Sequence, residues 1–304
     1  LAWGASGRWF ESSRPDHFYC TPAESGRLYS RRRKSVIRST RSLLETVKAG
    51  ILGAGAAINP RPIFVLGNQK SGTSPIAGLL AKFTGLGLTM DIRREIQHPD
   101  VERIRRGELA FSEFARKNKL DFSRPIIKEP NLTFIYDTLL DAFPDATFVF
   151  VYRDPRDNIR SILNRVNARG DQDRLTDEQL REMTVGWRRV FNGEPVGRVG
   201  RDFIETLAYR WDAAARLLME NQSRLHPVRF EDFLRDKVGE IARLAGELNL
   251  PRMSDIAPHV DHPFQPPGDR SVKWEAFFGA RNLSRIEAIC AESMARLGYG
   301  KSDE

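Results

Sequence analysis

The sequence predicts a three-layer α/β domain, a central parallel sheet flanked by helices. Three observations carry that expectation. Residues 146–152, ATFVFVY, form a near-continuous apolar run suited to a parallel strand covered on both faces. A second apolar run, Ile63–Leu66, leads into Gly67 and then into a helical pattern. Finally, the elements alternate strand and helix as far as about residue 166 and are mostly helical beyond it.

Residues 1–38 read as a disordered basic extension, with a cluster at Arg31, Arg32, Arg33 and Lys34. The stretch Trp9-Phe10-Glu11-Ser12 back-translates into the common arm sequence of a transfer-RNA gene, which points to a true start downstream. Over 39–58, Leu43, Leu44, Val47 and Ile51 recur at helical spacing, and the glycines at 50, 53 and 55 end that helix. The organised domain is expected over 59–304. Its first strand is Ile63–Leu66, followed by a helix from Thr73 to about Phe83. Ile126-Ile127 reads as the second strand, with a helix over 132–142 after it. The third strand, 146–152, runs into Asp154-Pro155, a cap and first-turn proline for a helix to about Val166. Helices are expected over 176–191, 200–221, 236–248 and 283–297, with a strand near Pro227–Phe230 and a Pro-rich loop over 258–268.

Composition narrows the function classes. Hydrophobic residues make up 40% and charged residues 29%, ordinary for a globular chain. The formal charge of +8, from 48 basic and 40 acidic residues, favours anionic ligands. Cys20 and Cys290 alone build neither a disulfide framework nor a zinc box, so a reducing, cytoplasmic setting is expected. No apolar run approaches the length of a membrane span, and the N-terminal residues lack the pattern of a signal peptide.

The chemistry begins at 67–74, GNQKSGTS. A glycine turn between a strand and a helix can aim backbone N–H groups at a phosphate. Ser71, Thr73 and Ser74 add hydroxyls, Gly72 permits close approach, and Lys70 adds a mobile charge. In a nucleotide-triphosphate loop the lysine follows the last glycine; here Lys70 precedes Gly72. That order argues against the alternative of a nucleotide-dependent, kinase-like P-loop enzyme. A non-catalytic anion- or nucleic-acid-binding protein is the other alternative, resting on net charge. His259 and His262 flank Val260-Asp261 without further ligands at diagnostic spacing, so no metal site is expected.

Four segments in order then share a pattern: the loop; Lys128-Glu129-Pro130 after Ile126-Ile127; Arg153-Asp154-Pro155-Arg156-Asp157, with Ser161 following; and Val228-Arg229-Phe230-Glu231-Asp232. Together they resemble the sulfotransferases that use 3′-phosphoadenosine 5′-phosphosulfate (PAPS), in the branch with bacterial members and tyrosylprotein sulfotransferases. The resemblance implies a P-loop-NTPase-like version of the three-layer fold. It also implies transfer of a sulfuryl group from PAPS to an acceptor hydroxyl, with no metal required. Ser71, Gly72, Thr73 and Ser74 would hold the 5′-phosphate, Arg153 and Ser161 the 3′-phosphate. Lys70 would act at the bridging oxygen and Lys128 at the sulfuryl group. The segment 268–274 resembles one that closes over the nucleotide, which makes Arg270, Ser271 and Lys273 cofactor candidates. A general base is needed; Asp91 stands where the branch has a Glu, and Glu95 and His98 are the alternatives. The Arg-, Asp- and Glu-rich stretches 88–122 and 165–200 are expected to shape the acceptor pocket. They favour a polar acceptor (carbohydrate, small molecule or peptide), with no nucleic-acid partner.

Overall fold

The structure, a computed structural model, describes residues 55–300 except 93, 96, 97, 99 and 262–271. The expectations for residues 1–38, for the helix ending in the 39–58 stretch, for His262, and for Arg270 and Ser271 therefore lie outside the described residues.

Among the described residues five strands form one sheet in the order β2-β3-β1-β4-β5. They are β1 (Ile63–Gly67), β2 (Leu88–Thr89), β3 (Ile126–Lys128), β4 (Thr147–Tyr152) and β5 (Leu225–Arg229). Every pairing is parallel, with Val65 opposite both Lys128 and Val149, and Tyr152 opposite Arg229. β1 is buried along its whole length, as its unbroken apolar sequence requires in a sheet covered on both faces. Alternate residues sort between the two faces. Phe64, Leu66, Phe148 and Phe150 pack with Phe111, Phe114, Phe122 and Phe143. Val65, Val149, Val151 and Val228 pack with Ile76, Leu79 and Leu80 of α1 (Thr73–Thr84) and Ile241 and Leu244 further on. A third cluster joins α2 (Pro155–Arg165), α3 (Phe203–Glu220) and α4 (Trp274–Arg296) through Ile162, Trp211 and Ile286.

This is the expected α/β architecture, with differences that have local causes. β2 is a two-residue edge strand, too short to leave a periodic signal. The helix expected over 132–142 divides into a 3₁₀ turn, Pro130–Ile135, and a helix, Tyr136–Ala142. The Glu129 side chain accepts the Asn131 N–H and starts the tighter turn. The helix expected over 176–191 breaks at Met183 and Thr184, both extended, leaving Asp177–Glu182 and Val185–Phe191. α4 begins at Trp274, nine residues before its expected start, and Gly279 interrupts it with φ 68° and ψ 154°. The stretch 88–122 is not wholly a pocket-lining loop: Phe111, Phe114 and Phe122 are core residues beneath the sheet.

All parallel strands point their C-terminal ends the same way. β1 is central, and the chain leaves it towards β2 on one side before returning to β4 on the other. The crevice outside such strand ends is where ligands gather in open α/β sheets.

Candidate active site

The turn after β1 is fixed by three unusual backbone conformations, Gly67 (φ 137°), Lys70 (φ 67°) and Gly72 (φ 101°). The two glycines are required sterically as well. A Cβ on Gly67 would lie 2.2 Å from the Val151 carbonyl oxygen, and one on Gly72 would lie 2.1 Å from the Phe230 ring. Lys70 adopts the left-handed conformation without a glycine's freedom, so its neighbours must hold it. Asn158 Nδ2 donates to the Gln69 carbonyl and to Ser71 Oγ, both at 2.9 Å. Arg153 Nη1 donates to the Lys70 carbonyl at 3.2 Å. The Ser71 N–H donates back to the Asn68 carbonyl. No side chain caps the start of α1 at Gly72, so its first-turn N–H groups are available to an anion. Ser71, Thr73 and Ser74 are buried around that turn.

Arg153 follows β4 and is itself buried. Its carbonyl accepts the Trp211 indole N–H at 2.8 Å, its guanidinium lies over the Phe230 ring, and Asp157 approaches it at 3.6 Å. The second arginine of the segment does something different. Arg156 bonds Asp154, Glu287 and the Gly300 carbonyl beneath the Trp274 ring, tying α2 to α4. The segment from Val228 to Asp232 proves to be a support: Phe230 underlies Gly72 and Arg153, and Glu231 accepts the Asp154 N–H and the Tyr299 hydroxyl. Ser161 stands half-buried about two turns into α2. Arg160 donates to the Val272 carbonyl at 2.7 Å, and Trp274 donates to Asp157 at 2.9 Å. These bonds anchor both flanks of the exposed Lys273 on α2.

At the end of β3, buried Lys128 donates to Asp91 Oδ1 at 2.5 Å. Behind the pair lies Glu129, whose carboxylate accepts the Ile92 and Asn131 N–H groups at 3.2 and 3.1 Å. Burial and the Asp91 charge push Glu129 up to about 7, against the pull of Lys128 and the two N–H donors. Glu95 is buried too, accepting the Val101 N–H and Asn131 Nδ2. Its burial, with Glu129 nearby, pushes it up to about 9. Glu95 is thus a neutral carboxylic acid at pH 7, enclosed in the fold. His98 is exposed.

Several residues that sequence reasoning passed over join these parts. Asn131 Oδ1 accepts from Gln69 Nε2 at 2.6 Å, and Arg210 Nε donates to Asn68 Oδ1 and Gln69 Oε1 at 2.9 and 3.0 Å. Asn68 Nδ2 donates in turn to Asn158, and the Gly67 N–H to Thr133. A chain of amides and one guanidinium therefore runs from Glu95 to the loop. One signal was available: an arginine at 210 inside the buried face of α3, in LAYRWDAA. Among the described residues no group of three or more His, Cys, Asp or Glu side chains could hold a metal ion, and no helix is long and apolar enough to cross a membrane.

Comparison with known proteins adds a family. A model of the sulfotransferase family matches residues 104–255, half of the chain, which includes Lys128, Arg153 and Ser161 but begins after the loop. No curated protein matches. Among solved structures, one similar chain is a sulfotransferase from Mycobacterium avium, 15% identical over 86% of this chain and 82% of that one, with TM-score 0.49. A sulfotransferase from Alicyclobacillus acidocaldarius is 17% identical over 76% and 96%, with TM-score 0.41. A mouse sulfotransferase complexed with PAP is 13% identical over 79% and 86%, with TM-score 0.47. Half of the sequence answers to one family's model, and on that ground the chain belongs to the sulfotransferase family.

Proposed function

We propose that this sulfotransferase takes its sulfuryl group from PAPS and passes it to a hydroxyl of a polar acceptor, a carbohydrate, small molecule or peptide. One observation carries the reading of the donor. The Arg153 guanidinium bonds the Lys70 carbonyl at 3.2 Å across 83 residues of sequence. The two segments that resemble the 3′- and 5′-phosphate elements thus meet beyond the C-terminal ends of the neighbouring strands β1 and β4. The cysteine usage keeps the cytoplasm as the expected setting.

In this reading Ser71, Gly72, Thr73 and Ser74 hold the 5′-phosphate through backbone N–H and hydroxyl groups. Arg153 and Ser161 take the 3′-phosphate, the arginine by charge-assisted hydrogen bonds. Lys273, anchored on α2 by its neighbours, and Arg270 are the further contacts to the nucleotide. Asp91 takes the proton that the acceptor hydroxyl loses as its oxygen bonds to sulfur. Lys70 neutralises the charge left on the phosphate as the sulfur–oxygen bond breaks. Lys128, already paired with Asp91, supplies positive charge to the sulfuryl oxygens. Glu95 does not compete for the proton, being neutral at pH 7, and Asp91 is the acceptor of choice over exposed His98. Proton transfer of this kind is worth about 10²–10⁴-fold in rate.

The test is a calorimetric titration with 3′-phosphoadenosine 5′-phosphate (PAP), the donor's product, without metal, beside ATP with Mg²⁺. PAP binding in the micromolar range or tighter is expected. In Arg153→Ala it should weaken by roughly 10–100-fold, the worth of one charge-assisted contact of about 1.5–3 kcal/mol. Binding of ATP with none of PAP would sink the proposal.

A further inference from the structure

Arg210 is the largest fully buried side chain among the described residues, and its electrostatic position is anomalous. Among the described residues its hydrogen bonds go to amide oxygens alone: Asn68 Oδ1, Gln69 Oε1 and Asn131 Oδ1. Its Nη1 has no hydrogen-bond partner among the described residues. The only carboxyl acting on its charge among the described residues is Glu129, whose own ionisation is disfavoured by burial and by the Asp91 charge. Phe134 covers the guanidinium at 4.2 Å. Burial lowers the guanidinium to about 9, which leaves it cationic at pH 7.

A buried cation without a formal counter-ion is costly, and proteins ordinarily pair it. Here the arginine is held directly behind the loop from 67 to 72, bonded to the side chains of two of its residues. We infer that Arg210 is a positioning residue whose missing counter-charge is the anion bound by that loop. Its positive charge acts on the donor's 5′-phosphate group from beneath, and its grip on Asn68 and Gln69 holds Lys70 in its left-handed conformation. The inference rests on the donor reading above. It adds that the site is electrostatically unfinished without its ligand, and that Arg210 exchanges stability of the empty protein for affinity.

That exchange gives opposite signs to two measurements. Full-length wild type, Arg210→Met, Arg210→Lys and Gln69→Glu are melted with and without PAP and titrated with PAP by calorimetry. Arg210→Met leaves the amide oxygens of Asn68, Gln69 and Asn131 without this donor, so its empty melting temperature serves only to show that it folds. It should bind PAP at least 30-fold more weakly and lose most of the PAP-induced rise. Arg210→Lys keeps the charge and should recover affinity to within about tenfold of wild type. Gln69→Glu supplies the counter-charge internally. It should raise the melting temperature of the empty protein while weakening PAP binding at least tenfold, and it decides the matter if Arg210→Met does not fold. PAP affinity within threefold of wild type in Gln69→Glu and in the folded Arg210 variants would overturn the inference and leave the donor reading intact. Failure of wild type to bind PAP would overturn both.

Discussion

Lys70 occupies a backbone conformation that usually belongs to glycine, and three side chains from distant segments hold it there. Asn158 and Arg153 bond the carbonyls of Gln69 and Lys70, and Arg210 grips the side chains of Asn68 and Gln69. The role proposed for Lys70, neutralising a leaving group, requires it to point reproducibly, and this bracing supplies the constraint. At the same scale, Glu95 makes stability depend on pH. Its ordinary value is 4.5 and the folded value about 9, so between those limits the native state binds the extra proton. The contribution is therefore fully present below about 4.5 and is lost as pH rises through 9. Glu129, also raised, acts in the same direction. Melting temperature should accordingly fall from pH 5 to pH 9, and Glu95→Gln should flatten much of that slope. A slope unchanged in Glu95→Gln would mean that other groups set it.

Between elements, Asp157 is the junction. It approaches Arg153, bonds Arg160, and accepts the Trp274 indole N–H, so α2 orients the arginine after β4 and fixes where α4 begins. Trp274→Phe removes the indole donor and keeps a ring over Arg156. It should cost about 1 kcal/mol in urea unfolding and weaken PAP binding several-fold as Lys273 loses its anchor. Loss of stability with unchanged PAP affinity would confine Trp274 to packing. The elements that were legible in sequence were those with a strong local signal. The β4 run, the Asp154-Pro155 helix start and the glycine loop each contain their own cause. β2 has only two residues, and the split of the 132–142 helix depends on one side-chain bond from Glu129 to the Asn131 N–H. Periodicity does not encode either. The core role of Phe111, Phe114 and Phe122 was equally hidden, because only the folded chain brings them under Phe64.

For the whole molecule, a net charge of +8 gives the binding of any anionic ligand a long-range component. Raising salt from about 50 to about 300 mM should weaken PAP binding by roughly three- to tenfold, as screening shortens the reach of exposed charges. The part that survives at high salt reports the buried charges, Arg153 and Arg210 among them, which salt screens poorly. An affinity indifferent to salt would mean that surface charge contributes nothing to donor capture.

The sequence by itself determined the layered parallel sheet, the loop with its lysine before the glycine, and the order of the four segments that resemble a sulfotransferase. These are properties of contiguous residues: an apolar run, a turn that only glycine fits, a cap followed by proline. Only the tertiary structure decided which partners the members of those segments meet. It separated Arg153 from Arg156, made Phe230 and Glu231 supports, left Glu95 neutral, and set Arg210 behind the loop. Such roles arise from burial and from partners up to 144 residues away, as for Arg156 and Gly300. A side chain's charge state and direction are fixed by the neighbours that remove its water, and those neighbours exist only once the chain has folded.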